Sequence, residues 1–157
     1  MGYWLLKSEP GEFSIDDMER VGVEPWDGVR NYQARNWLRD HMQVGDQAFF
    51  YHSNCKEPAI VGIVSVASPA YPDPTQFDPR DKHFDPKSRP DDPRWWLVDV
   101  RFERRLRRPV TLRELKEREE ELEGLALVRR GNRLSVMPVT PQQWAFILGL
   151  EQQPESG

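Results

Sequence analysis

The sequence predicts a single mixed α/β (α+β) domain, a small curved sheet or barrel with short flanking helices. Strand-like segments, five or more, interleave with short helical ones. Their spacing is too irregular for a doubly wound sheet, and no glycine-rich phosphate loop follows the first strand. The length of 157 residues suits one domain with a real core.

Residues 3–6 form a continuous apolar run, as a strand buried on both faces requires, and Lys7-Ser8-Glu9-Pro10-Gly11 closes it. Ser14, with Asp17 three residues on, caps a short helix over 15–20 that Gly22 ends. Pro25 and Gly28 punctuate the next stretch, and a helix follows over 31–42. Its Ala34, Trp37, Leu38 and Met42 keep helical spacing, with Arg30, Arg35 and Arg39 on the other side or at the start. After a turn at Gly45-Asp46, strands run over 47–52 and 59–68, joined by a hairpin-like loop. Six prolines and six aspartates between Tyr71 and Pro93 exclude regular structure there. Tyr71, Phe77, His83 and Phe84 pin that segment as an ordered crossover.

A long strand follows over 95–106. Thr111 and Glu114 read as a capping box for a helix to about Leu122, with Leu112 and Leu115 inward. A short apolar segment occupies 125–130 and a last strand 133–137. Thr140 caps the final helix, Pro141 opens it, and Trp144, Ile147 and Leu148 face inward. The domain therefore spans 1–150, and 151–157 is a polar tail.

Composition narrows the function. The chain is 38% hydrophobic and 31% charged, yet six Trp, seven Phe and four Tyr supply enough apolar area to exclude disorder. Its net charge of −4 argues against generic binding through phosphates, so nucleic-acid recognition would need a local patch and a specific pocket. The single cysteine, Cys55, excludes an intrachain disulfide and a cysteine zinc site. The first residues hold no long apolar run, so neither a signal peptide nor membrane attachment is expected, and a cytoplasmic location is.

Catalytic constellations are poorly represented. His41, His52 and His83 lack metal-ligand spacing. His52 and Ser53 are adjacent on a strand and point apart, which disfavours a nucleophile–base pair. A Cys55–His52 thiolate pair is conceivable on spacing alone. Asp78, Asp81, His83 and Asp85 invite a metal, but lack the glycine turn and closing glutamate of a calcium loop. No cofactor, no metal and no enzyme activity is expected.

Binding groups are better represented. Lys7 and Ser8 end the first strand. Trp26, Val29, Arg30, Asn31, Tyr32 and Arg35 surround a loop-to-helix junction. Tyr51, His52, Ser53 and Asn54 end another strand. The junction alone fits core aromatics and capping groups at least as well as a site. Together the three segments offer aromatic faces, amides, hydroxyls and cations, the repertoire that reads an extruded base. Arg104, Arg105, Arg129 and Arg130, with their neighbours, would add backbone contacts, or form a solvated face paired with the glutamates at 117–121.

Five motifs then point to one family: Trp4-Leu5-Leu6-Lys7-Ser8-Glu9-Pro10, Trp26-Asp27-Gly28-Val29-Arg30-Asn31-Tyr32-Gln33-Ala34-Arg35, Phe49-Phe50-Tyr51-His52-Ser53-Asn54, Ala70-Tyr71-Pro72-Asp73-Pro74-Thr75 and Arg133-Leu134-Ser135-Val136. In order and over nearly the whole chain, they resemble the EVE domain. That resemblance implies a PUA-like fold related to YTH domains, and recognition of a modified base, modified cytosine among them, in DNA or RNA. It places Lys7, Ser8, Trp26 and Asn31 where YTH relatives hold a base in an aromatic cage, with Tyr32, Arg35, Tyr51, His52 and Ser53 completing the pocket wall. A sensor of a free small molecule or modified nucleoside is the alternative. A base-processing hydrolase using His52 or Asp27 is a more distant one.

Overall fold

The computed structural model describes residues 2–154. In chain order the elements are β1 (Tyr3–Ser8), α1 (Ile15–Val21), β2 (Val23–Pro25), α2 (Tyr32–Asn36), β3 (Gln47–His52), β4 (Ala59–Val66), β5 (Tyr71–Pro72), β6 (Trp96–Leu97), β7 (Asp99–Thr111), α3 (Leu112–Glu117), β8 (Val136–Val139) and α4 (Pro141–Glu151). A π-helical turn over Trp37–His41 extends α2, and 3-10 turns occupy Pro74–Phe77 and Ala126–Val128.

Six strands form one sheet in the order β2-β7-β4-β3-β1-β8, curled into a half-barrel. The β1–β3 pair is parallel, and its other pairings are antiparallel. Alternation in β1 and β3 divides the core between the two faces. Leu5, Phe49 and Tyr51 meet α4, where Trp144 stacks on Phe49 with ring centroids 3.9 Å apart. Trp4, Leu6, Ala48 and Phe50 meet α1, α2 and Trp26 on the other face. Strands buried on both faces read as unbroken apolar runs, and these do.

A bulge resets β4. Ile60 pairs with Val110 but Gly62 pairs with Arg105, so β7 loops out over residues 106–109. Against β3, Tyr51 pairs with Ile60 and Phe50 with Gly62, so Val61 is an extra residue and Ile60 and Ile63 share a face despite their odd separation. Pro109 falls in this unpaired stretch, where a missing N–H costs no ladder bond. Gly62 is tightly enclosed, since a Cβ there would lie 2.5 Å from Ile15 Cδ1 and 3.0 Å from the Arg104 carbonyl oxygen.

Several elements differ from expectation. The helix read over 31–42 is α2 plus the π turn, entered through Asn31 as its N-cap. The strand read over 95–106 breaks at Val98 and then continues to Thr111. The β2 strand was not expected, being three residues long and ended by Pro25. Thr111 caps α3, but Glu114 does not complete a capping box. Its carboxylate takes the Arg108 guanidinium through two 2.8 Å bonds instead, and α3 stops at Glu117. The last strand lies later, over Val136–Val139, because Pro138 is accommodated on an edge strand. Glu151, read as the first residue of the tail, ends α4 and is 3% exposed. The crossover over 71–93 is ordered around Asp73 and Gln76, both fully buried.

Candidate functional site

At one end of the half-barrel the C-terminal ends of the parallel strands β1 and β3 meet the segment leaving β2. Backbone bonds tie these ends together: Ser53 N–H donates to the Ser8 carbonyl and Lys7 N–H to the Ser135 carbonyl, each at 2.9 Å. Between them opens a cavity of about 460 Å³. Lys7, Ser8, Trp26, Val29 and Ser53 line it, together with Phe13, Glu24, Asp27, His83, Arg133 and Ser135. That volume falls in the range that holds a small organic ligand.

Trp26 forms part of the wall and part of the core at once. It is 8% exposed, packs edge-on against Phe50 at 5.6 Å and against Phe13 at 6.4 Å, and donates its backbone N–H to the Val98 carbonyl at 2.9 Å. The turn after it depends on Gly28, whose φ of +81° is open to glycine and strained for other residues. Gly28 N–H donates to Asp73 Oδ2 at 2.8 Å, and a Cβ at Gly28 would come within 2.6 Å of the His83 ring. The crossover thus presses directly on the backbone of the cavity wall.

The electrostatics favour polar contacts inside the cavity. Partial burial, then the nearby Asp73, pushes the Asp27 carboxyl above its ordinary pKa, against the opposing pull of His83 and Arg30. Burial and Asp27 raise Glu24 in the same direction. Burial lowers Lys7. Two carboxyl groups beside an aromatic wall are acceptors suited to an exocyclic amino group, as cytosine presents. Ser8 donates its hydroxyl to the Phe13 carbonyl at 2.5 Å, which keeps its oxygen free as an acceptor.

The remaining expected residues lie elsewhere. The Arg30 guanidinium is engaged by Asp73 at 3.1 Å, Thr75 at 3.0 Å and the His83 carbonyl at 2.8 Å. Asn31 accepts from Ala34 N–H as a helix cap. Tyr32 is exposed, stacked on Trp95 at 4.8 Å and covered by Arg35 at 4.8 Å. Arg35 also donates to the Arg94 carbonyl at 2.8 Å. His52 Nε2 accepts from Ile15 N–H at 3.0 Å, and burial lowers its pKa. Tyr51 is 2% exposed; burial, then Cys55, pushes its phenol up to about 12, and it lines a second cavity.

Arg104 and Arg105 are held by acidic groups, though not by the glutamates at 117–121. Arg104 makes a two-pronged pair with Glu151, and Arg105 pairs with Glu19 and Asp16. Arg129 and Arg130 line the second cavity. Cys55 Sγ lies 3.9 Å from the His52 carbonyl, so its contact is with backbone and not imidazole. Asp81 and Asp85 accept from His83 N–H and Trp95 Nε1, and no metal-holding cluster occurs among the described residues.

Sequence reasoning overlooked Phe13, Glu24, His83 and Ser135. Phe13 had a local signal, an apolar residue directly before the Ser14 N-cap. His83 had none, because it reaches Gly28 only through the folded crossover.

Comparison with known proteins agrees with this architecture. Thymocyte nuclear protein 1 of Danio rerio is 47% identical over 96% of this chain and 72% of its own length. Among solved structures, a Pseudomonas syringae protein superposes with a TM-score of 0.91 at 52% identity, covering 95% of this chain and 99% of that one. Human THYN1, solved in complex with 5-methylcytosine-containing DNA, superposes with a TM-score of 0.94 at 43% identity, covering 99% of this chain and all of its own. The EVE domain model matches residues 2–150, and with a PUA-like half-barrel beneath it this chain belongs to the EVE domain family.

Proposed function

We propose that this protein is a non-catalytic reader of a modified nucleobase in nucleic acid, with 5-methylcytosine in DNA as the first ligand to test. The base enters the cavity beside Trp26, extruded from its strand, because an atom inside a stacked duplex cannot reach a walled site. One observation carries the reading. The cavity joins Phe13 and Trp26 to the carboxyl groups of Asp27 and Glu24 and the hydroxyls of Ser8 and Ser53. The human relative's complex with methylated DNA supports it.

The non-catalytic part rests on how the titratable groups are spent. His52 Nε2 accepts a backbone N–H, which leaves it no lone pair for proton abstraction. Asp27 has no nucleophile paired with it among the described residues. We also retain a cytoplasmic location, to be checked by imaging a fluorescent fusion. No helix among the described residues is long and apolar enough to cross a membrane.

Fluorescence anisotropy with labelled oligonucleotides tests the proposal. The wild type should prefer a 5-methylcytosine strand over its unmodified twin. Trp26→Leu, shown folded by circular dichroism, should bind the modified strand at least about tenfold more weakly, since base stacking contributes on the order of 1–3 kcal/mol. Equal affinity of wild type and variant would sink the reading. A free modified nucleoside binding as tightly as the strand would favour the sensor alternative instead.

A further inference from the structure

Beside the first cavity lies a second, of about 510 Å³, lined by Lys7, Tyr51, Lys116, Glu119, Arg129, Arg130, Gly131 and Asn132 among others. Four of these side chains are cationic and one is acidic. The first cavity has the opposite balance, with Glu9, Glu12, Glu24 and Asp27 against Lys7 and Arg133. In a chain of net charge −4, such segregation concentrates positive potential where an anion gains most. Among the described residues, neither Arg129 nor Arg130 forms an ion pair, whereas Arg104, Arg105 and Arg108 each do.

A second observation marks the same place. The side-chain nitrogen of Asn132 is buried and, alone among the described buried side-chain nitrogen and oxygen atoms, has no hydrogen-bond partner. Its orientation is set, because Asn132 Oδ1 accepts from Leu134 N–H at 3.3 Å. A buried donor left without an acceptor costs free energy, which an acceptor from a ligand would recover. Gly131, at φ +74°, turns the chain between Arg130 and Asn132.

The two cavities are neighbours. Lys7 lines both, and the loop that gives Arg129 and Arg130 to one gives Arg133 to the other. Three peptide units span at most about 11 Å, so the openings stand within reach of one nucleotide and its neighbour. The geometry points to the second cavity as a phosphate subsite: Arg129, Arg130 and the Asn132 amide hold a phosphate of the strand whose base occupies the first cavity. The link to a base rests on the reading above; the affinity for phosphate does not.

Inorganic phosphate therefore serves as the first probe, titrated into the full chain and followed by ¹H–¹⁵N NMR. The Asn132 side-chain amide and Gly131 should shift saturably. Asn132→Asp keeps the acceptor for Leu134 and replaces the donor by an anion, so it should abolish the response, as should the Arg129→Ala/Arg130→Ala pair. Trp26→Leu should leave the response intact, which separates this site from the base cavity. No saturable shift, or a shift unchanged in both variants, overturns the proposal. As a second measurement, 5-methyl-2′-deoxycytidine should bind wild type and the double variant alike. A phosphate on that nucleoside should improve wild-type affinity about tenfold or more and the variant's little. For a modified strand, the double variant should lose about two units of salt-dependence slope. A phosphate advantage that survives the double substitution would refute the assignment.

Discussion

The carboxylate of Asp73 meets the guanidinium of Arg30 at 3.1 Å, with none of the Asp73 side chain exposed. Burial works to raise this carboxyl, but bonds from Thr75, Gly28 N–H and Arg30 outweigh it and hold it below the ordinary carboxylate range. Asp73→Asn would turn an amide NH2 toward groups that are themselves donors and should destabilise the chain by roughly 3–5 kcal/mol in urea unfolding. A depressed folded pKa makes this stabilisation fully present at neutral pH and lost as pH falls below about 4. The gap between wild type and variant should therefore narrow on acidification, and a gap independent of pH would contradict the assignment.

Gly28→Ala should lower both stability and ligand affinity. The added methyl meets the His83 ring, and the positive φ strains any side chain, at a combined cost of about 1–3 kcal/mol. His83→Ala in the same chain should recover the steric part and leave the backbone part, a split that a double-mutant cycle measures.

Asp27→Asn should raise the melting temperature at pH 7 while weakening binding of the modified base. Its carboxyl is raised in the folded chain, so its stabilising contribution is present at low pH and lost as pH climbs through the folded pKa. Removing the charge should therefore help stability above that range and do little below it. Scanning calorimetry at pH 4 and pH 7 checks the sign. A variant less stable than wild type at pH 7 would show that burial is not the dominant influence.

Arg104→Ala should cost about 1.5–3 kcal/mol, because it strips two charge-assisted bonds from the buried Glu151 carboxylate. The bond from Arg104 is also the main influence holding that carboxyl below its ordinary pKa. Arg105→Ala removes only exposed pairs and should change stability little. Neither should alter affinity for a modified strand appreciably. A clear affinity loss in either would restore these arginines to the backbone-contact role their sequence position first indicated.

Most of the sheet was legible because its strands carry periodic signals of their own. The runs at β1 and β3 read as strands, and the unbroken apolar run of β1 fits burial on both faces. What escaped depended on distant partners. Glu114 sits at capping-box spacing, but Arg108 competes for its carboxylate. The helix after Tyr32 is locally α-helical, yet shifts to a π turn at Trp37 with no punctuating residue. Within the site, Lys7, Ser8, Trp26, Val29 and Ser53 converge on one cavity, as strand ends and a turn allow. Arg30, Asn31 and Tyr32 come from the same motif but serve the crossover, a helix cap and Trp95. A motif marks a neighbourhood, and only packing decides which side chains face its opening.

The double attachment of Trp26 bears on how such a protein could change its ligand. A wall residue that also packs edge-on between Phe13 and Phe50 resists exchange, because replacing it costs core packing as well as ligand contact. Glu24, Asp27 and His83 carry no such weight in the core. Divergence of ligand preference should therefore accumulate on these polar side chains while the aromatic wall stays, and a library aimed at a different base should vary them first.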